Sequence, residues 1–311
     1  MHRYLLNISY IGTTFRGIQK TVNKAEQPRL DTQSIQGCLE LALRVFHPVN
    51  EIQTVLSSRV HTIFSTDAGV HALHSTVHVD LERPNGQPYD TTTLTGVLNR
   101  TLDKQRLPIR VLSSQLVADT FHCRYHATGR TYLYRFAVNK HPPSEEDNFR
   151  NKAYEAFVPV EEIDRCYFLQ SPSFDIDRVR AASQLFVGVH DFRTFMSISR
   201  QKNLSRDHPM FTVRKIDKIS IRPGGAVAVA PNAALAAATY NYWDIEIKAK
   251  SFLYKQVRRI VGALIALGSG RIDERCIYQM LTIPSKNSWD HRVLLAPACG
   301  LYLCRVHYRN N

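Results

Sequence analysis

The stretch NYWDIEIKAKSFLYKQVRRIVGALIALG, residues 241–268, indicates the fold class because its hydrophobic period changes midway. Apolar and charged residues alternate over 243–250, which is typical of a strand with one buried face. Residues 253–267 are then largely apolar, with helical spacing, and Gly268 ends the run. A strand that leads directly into a helix predicts an α+β fold.

The same kinds of element recur in the two halves of the chain, 1–118 and 119–311. Strands of the first half are predicted at 3–10, 51–57, 76–82 and 108–114, and helices at 35–46 and 91–102. Strands of the second half are predicted near 131–136, 211–221, 241–249 and 301–308, and helices at 175–187, 253–267 and 272–281. Each half therefore follows the split-βαβ plan of ferredoxin-like or RRM-like domains. Residues 139–152 and 223–239 are predicted as surface insertions, the second as an enlarged hairpin loop.

The charge of the chain predicts a polyanionic partner. Lys and Arg number 40 against 27 Asp and Glu, which gives a net charge of +13. Such an excess favours nucleic acid, with an anionic membrane surface or a small anionic substrate as alternatives. No apolar run approaches the roughly 20 residues of a membrane-spanning helix.

The six cysteines are scattered and form no C-x-x-C pair, which argues against a disulfide framework and against a zinc site. The first residues enter a strand pattern at once, so no secretory signal is expected. A reducing compartment is predicted.

The sharpest local feature is TDAGVHA at 66–72, which follows one predicted strand and precedes another. An aspartate beside a glycine in a loop is ordinary turn chemistry. A carboxylate at such a place is also a competent nucleophile or general base. The local sequence therefore allows either a structural or a catalytic role for Asp67.

The surroundings of this segment resemble the TruA family of tRNA pseudouridine synthases. The core T-D-x-G-V-H-A is similar, and further matches follow in the family order along nearly the whole chain. They lie at 10–19, 34–37, 99, 121–124, 130–134, 188–192, 252–262 and 296–301.

The resemblance implies a fold and a reaction. The family fold has two α+β halves whose antiparallel sheets join and leave a basic central cleft. The reaction breaks the N-glycosidic bond of a uridine in RNA, rotates the base and rejoins it through carbon, with no metal and no cofactor. Its single essential aspartate, a nucleophile or base, corresponds to Asp67.

Three further residues take roles from the resemblance. A uracil must leave its stack before an enzyme reaches it, so something must pack against the extruded base. Tyr132 corresponds to the family tyrosine with that role, and Leu301 to an apolar residue of the pocket; ordinary strand core is the alternative for both. Arg258 corresponds to an arginine that would pair with Asp67 and keep it ionised.

Other matched residues are assigned more generally. His71, His122 and His190 are expected to make structural hydrogen bonds, and His71 and Arg130 are also substrate-binding candidates. Lys255 and Arg259 are predicted phosphate contacts, although a charged residue on an apolar helix normally snorkels or pairs. A solvated basic face explains five further candidates equally well: Arg124, Arg130, Arg135, Arg214 and Lys215.

One departure from the family affects the active-site loop. The family has an arginine two residues before its aspartate, where this chain has Ser65. The simplest alignment displaces that arginine to Arg59 and inserts residues 60–65 after it. Arg59 would then take the place of the flipped nucleotide and contact the RNA backbone.

The predicted function is an RNA pseudouridine synthase that acts on tRNA. One alternative is a non-catalytic RNA-binding relative, disabled by the 60–65 insertion; another is a scaffold protein of an RNA-processing complex. The pattern resembles the eukaryotic tRNA pseudouridine synthase-like branch, which favours a mitochondrial over a cytoplasmic location. Bacterial members are homodimers, which makes a homodimer a further expectation.

Overall fold

The structure is a computed structural model, and it describes residues 1–20, 31–46, 54–56, 68–140, 158–171, 173–197 and 211–309. The side chain of Lys286 is also left undescribed. Asp67, Arg59 and the 60–65 insertion lie outside the described residues, as does most of the predicted 139–152 insertion.

The chain packs as two compact units. The first contains Met1–Arg130 together with residues from Tyr302 onward, and the second contains most of the remainder up to Leu301. The sequence placed the division at 118 and 119 and assigned the last strand to the second half. By packing, that strand groups with the first unit from Tyr302.

The first unit is a mostly antiparallel sheet with two helices. Its elements are β1 (His2–Tyr10), α1 (Ile35–Leu43), β2 (Thr54–Leu56), β3 (His71–Leu81), α2 (Thr91–Lys104), β4 (Ile109–Val117) and most of β10 (Leu301–Tyr308). The strand order is β4-β1-β3-β10, and β2 also pairs with β3. β1 is antiparallel to both β3 and β4, whereas β10 runs parallel to β3. This arrangement places the start of β3 beside the end of β1.

The second unit is built from strands and four helices. Its elements are β5 (Ala127–Asn139), β6 (Tyr167–Leu169), α3 (Ile176–Ser183), β7 (Gly188–Asp191), β8 (Val213–Pro223), α4 (Asn232–Thr239), β9 (Tyr240–Ala249), α5 (Gln256–Gly268) and α6 (Glu274–Thr282). The strand order is β5-β9-β8-β7, and β6 lies parallel to β5. The predicted α+β class is confirmed, while the basic cleft between the halves stays a prediction.

Helix starts follow the capping residues of the sequence. The side chains of Ser34, Asp90, Asp175 and Asp273 each accept a hydrogen bond from a backbone N–H of the first turn. Such caps satisfy donors that the helix itself leaves unpaired. α4 and α5 differ, because neither has a side-chain cap or an acidic residue in its first turn.

The prediction of 223–239 as a hairpin loop was wrong for its second half, which forms α4. The sequence there is rich in alanine, the best helix former. Ala236 is fully buried in a cluster with Ala137, Cys166 and two tyrosines of β9. The predicted helix 175–187 is shorter, because it ends at Ser183 and continues as a 3₁₀ turn. Among the described helices, none has the length and apolar character to cross a membrane.

Candidate active site

The segment after Asp67 is fixed by a close backbone contact with the matched motif at 10–19. Ala68 and Gly69 form a turn, in which Gly69 has a φ of 81°. A Cβ added to Gly12 would lie 1.9 Å from the carbonyl oxygen of Val70. Only glycine permits this approach, so Gly12 positions the chain that follows Asp67.

His71 links the same two segments through its ring. The ring is fully buried, and its Nδ1 accepts a hydrogen bond from the backbone N–H of Gly12 at 3.1 Å. It also stacks on Tyr302, with ring centroids 4.5 Å apart. An accepting Nδ1 places the proton of the neutral ring on Nε2. The expected structural hydrogen bonding is confirmed, and contact of His71 with RNA stays a prediction.

Tyr132 is the half-buried side chain of an otherwise buried stretch of β5. Residues 131 and 133–139 are all buried. The Tyr132 ring meets Phe252 edge to face, with centroids 5.1 Å apart and planes at 90°. Such a contact fixes the ring plane while part of the ring stays accessible.

Arg258 holds the segment that leads into Leu301. Its Nε donates to the carbonyl oxygen of Ala296 at 2.7 Å, and Ala296 N donates back to the Arg258 carbonyl at 3.3 Å. The hydroxyl of Tyr134 donates to the carbonyl oxygen of Pro297 at 2.8 Å. Burial raises the pKa of Tyr134 well above its ordinary value, so this hydroxyl keeps its proton to donate.

Two matched glycines allow the same segment to pack closely. A Cβ on Gly262 would lie 2.1 Å from the carbonyl oxygen of Leu294. A Cβ on Gly300 would lie 2.6 Å from the Arg135 carbonyl oxygen and 2.7 Å from the Tyr134 ring. α5 and β5 therefore each lie in close contact with the segment 294–300. Leu301, which follows, is 4% exposed.

Arg135 is not a phosphate contact, and this prediction was wrong. Its guanidinium pairs with the fully buried carboxylate of Glu162 through two hydrogen bonds of 3.0 and 3.1 Å. It also donates to the carbonyl oxygen of Gly225 at 2.9 Å. The bidentate pair satisfies both charges inside the protein.

The remaining predicted residues differ in their surroundings. Lys215 is exposed, Arg124 lies 5.4 Å from the centroid of the Tyr125 ring, and Arg130 is half-buried. Two of the histidines make the local hydrogen bonds expected of them. His122 Nδ1 accepts from the N–H of Arg124, and His190 Nε2 lies 3.2 Å from the Val187 carbonyl oxygen.

The second unit thus contains Tyr132, Arg258 and Leu301, and the first contains His71 and Arg130. Sequence reasoning missed the buried amide of Gln256, and it named Arg259 without its stack on the Trp289 ring. Both lie inside a matched motif, but their contacts with Leu253 and Thr194 are decided by tertiary packing.

The chain is similar over nearly its full length to known proteins. A family model described as tRNA pseudouridine synthase matches residues 182–309. The chain is 32% identical to "tRNA pseudouridine synthase-like 1" of Xenopus laevis, over 98% of this chain and 91% of that protein. The human protein of that name is 33% identical, over 99% and 90%. "tRNA pseudouridine synthase A" of Caulobacter sp. strain K31 is 31% identical, over 99% and 98%.

These similarities extend over both units. The close contacts of Gly12, Gly262 and Gly300 explain in physical terms why the motifs require glycine at these places. The chain belongs to the TruA family of tRNA pseudouridine synthases.

Proposed function

We propose that this protein isomerises uridine to pseudouridine in tRNA, with Asp67 as its catalytic carboxylate. The observation that carries the proposal is similarity at 31–33% identity, over nearly the full length, to proteins named tRNA pseudouridine synthase. The chain keeps Asp67 in TDAGVHA. A non-catalytic RNA-binding relative is not favoured, because the relatives matched over the whole chain bear the names of enzymes.

The reaction conserves atoms and needs no redox partner. The bond from the ribose C1′ to N1 breaks, the base rotates, and C1′ bonds to C5. The proton of C5 is released, and N1 takes one up. Asp67 would act as nucleophile at the sugar or as base during this exchange.

Tyr132 and Arg258 support this chemistry as binding residues. The Tyr132 ring, fixed by Phe252, offers a surface on which an extruded uracil could pack. Arg258 would assist by keeping Asp67 ionised. We include Leu301 as a wall of the base pocket, and Arg59 as the residue that fills the gap left in the RNA.

Release of the C5 proton gives a direct test. Recombinant protein is incubated with tRNA labelled with tritium at C5 of uridine, and tritium in water is counted. We expect Asp67→Asn to lower the single-turnover rate by roughly 10²–10⁴-fold, the typical contribution of such a group. Asp103→Asn, at an exposed residue of α2, serves as the matched control.

Two results would refute the assignment. Tritium release by Asp67→Asn at the wild-type rate would remove Asp67 from the mechanism. Absence of release by the wild type from any tRNA would refute the activity.

For the base-packing role, Tyr132→Phe should keep most of the rate and Tyr132→Ala should lose it. We also propose that the protein forms a homodimer, which sedimentation would test, and that it is located in mitochondria, which imaging would test.

A further inference from the structure

The connection between β9 and α5 places an aromatic ring against Tyr132. β9 ends at Ala249 and α5 begins at Gln256, so Phe252 lies within the short segment between them. The half-buried Phe252 ring meets the Tyr132 ring edge to face, with centroids 5.1 Å apart and planes at 90°. Aromatic pairs prefer this geometry, because the positive edge of one ring then points at the negative face of the other. The Phe252 ring therefore restrains the plane of the Tyr132 ring.

The residues after Phe252 form a turn with an unfavourable backbone. The N–H of Gln256 donates to the carbonyl oxygen of Leu253 at 3.1 Å, which closes a turn over 253–256. Lys255, the third residue of this turn, has a φ of 58°. It is one of only three residues other than glycine with a positive φ in the described part of the chain. Such a backbone persists where surrounding contacts determine it, and it is often found at active sites.

The side chain of Gln256 supplies one of the contacts that determine this turn. Its Oε1 accepts a hydrogen bond from the N–H of Leu253 at 2.7 Å, so two hydrogen bonds of opposite direction join these residues. Gln256 is 1% exposed, so water has little access to compete for the bond. The N–H of Ser197 donates to the carbonyl oxygen of Tyr254 at 3.1 Å and ties the turn to a neighbouring segment. Leu253 directly follows Phe252, so the place of the Phe252 ring depends on Gln256.

We propose that Phe252 and Gln256 are positioning residues for the base-packing side chain Tyr132. Gln256 holds the turn, the turn places Phe252, and Phe252 sets the plane in which the Tyr132 ring receives an extruded uracil. The inference rests on the proposed function for the role of Tyr132, and it adds how that ring is oriented before RNA binds. A ring that is already oriented loses less conformational entropy when a base stacks on it.

Ordinary core packing is the competing explanation of the contact between Phe252 and Tyr132. It predicts that loss of the Phe252 ring lowers stability, and that any effect on the reaction rate is the same with or without the Tyr132 ring. The positioning role predicts that the effect on the rate disappears when the Tyr132 ring is absent. A double-mutant cycle separates the two explanations, because independent residues have additive effects and residues that act through one another do not.

The experiment measures single-turnover tritium release at saturating tRNA with the full-length protein. Tyr132→Ala should slow release by about 10- to 100-fold, the typical contribution of one base stacked on an aromatic ring. Phe252→Leu keeps an apolar side chain without the ring and should slow release by about 3- to 10-fold. The double variant should release tritium at the rate of Tyr132→Ala alone. Phe252→Tyr retains a ring at this position and should keep the wild-type rate.

Gln256→Met removes the acceptor for the N–H of Leu253 and keeps the length of the side chain. It should also slow release by about 3- to 10-fold, and this loss should likewise vanish in the Tyr132→Ala background. Phe186→Leu is the matched control. The fully buried Phe186 ring meets Phe195 with nearly the same geometry, centroids 5.1 Å apart and planes at 89°. Phe186→Leu should lower the unfolding temperature and leave the rate unchanged.

Three results would overturn the proposal: losses that multiply in the double variant, a wild-type rate in Phe252→Leu, or an equal loss of rate in Phe186→Leu. If either Phe252→Leu or Gln256→Met does not fold, the cycle of the other decides. If the wild type forms pseudouridine while the losses multiply, only the positioning role is wrong. If the wild type binds tRNA without forming pseudouridine, the proposed function is wrong, and the same cycle run on the dissociation constant of tRNA decides the positioning role.

Discussion

Replacing Gly12 by alanine should slow catalysis far more than it unfolds the protein. A Cβ at this position would lie 1.9 Å from the oxygen and 2.7 Å from the carbon of the Val70 carbonyl. Carbon–oxygen contacts in proteins normally begin at roughly 3.3 Å, so the two backbones must separate by about 1.4 Å. Both sides of the contact are main chain, and no rotamer change can relieve it.

The size of the effect follows from the place of Val70, three residues after Asp67. A displacement of about 1 Å at a reacting group can cost about 100-fold in rate. Overpacking costs only about 1–3 kcal/mol of stability. We therefore expect the Gly12→Ala enzyme to be folded, to bind tRNA, and to release tritium about 100-fold more slowly.

The assay is single-turnover tritium release at saturating tRNA, together with thermal unfolding. Gly96→Ala is the matched control, because a Cβ there meets nothing within 4 Å on the exposed side of α2. It should raise stability by about 0.5–1 kcal/mol and leave the rate unchanged. A Gly12→Ala protein with the wild-type rate would refute the reasoning, because the Val70 contact would then not position the loop.

Three further outcomes test the packing around the site. Glu162→Gln leaves the Arg135 guanidinium buried without its counterion and should cost about 3–5 kcal/mol in urea denaturation; a loss below about 1 kcal/mol would contradict the pairing. Burial lowers the pKa of His78 from 6.5 to about 4, so stability is complete above about pH 6.5 and is lost as pH falls toward 4. Acidification should therefore cost the wild type up to about 3 kcal/mol more than His78→Gln, and equal losses in parallel denaturations would contradict this. Tyr134→Phe removes the bond to the Pro297 carbonyl and should cost about 1 kcal/mol; a rate loss in tritium release without any loss of stability would point to a different role.

The strands were predictable from alternation, and helix boundaries were less so. β9 matches its predicted range to within one residue, because apolar and charged residues alternate from Trp243 onward. α5 begins at Gln256, three residues later than predicted, because Lys255 has a left-handed backbone with a φ of 58°. Hydrophobic spacing alone does not reveal such a turn.

The site was predictable where motifs determine it and unpredictable where partners are distant. Gly12, Gly262 and Gly300 belong to matched motifs, but only the structure shows which carbonyl oxygens approach them closely. Arg135 alternates with apolar residues on β5, which suggested a charged outer face. Its partner Glu162 lies 27 positions away, on a segment with no periodic relation to β5. Pairing across such a distance is decided by tertiary packing.

The matched residues are of two kinds, those that pack the fold and those that would take part in the reaction. Only the second kind is evidence for catalysis. Any protein that keeps this fold would retain the glycines that allow a carbonyl oxygen to approach closely. It would also retain the side chains that hold the segment before Leu301. Asp67 lies outside the described residues, so its retention is argued from its chemistry alone. Loss of rate in Gly12→Ala would therefore show that the fold positions a reaction. Loss of rate in Asp67→Asn with unchanged tRNA binding would show which group performs it.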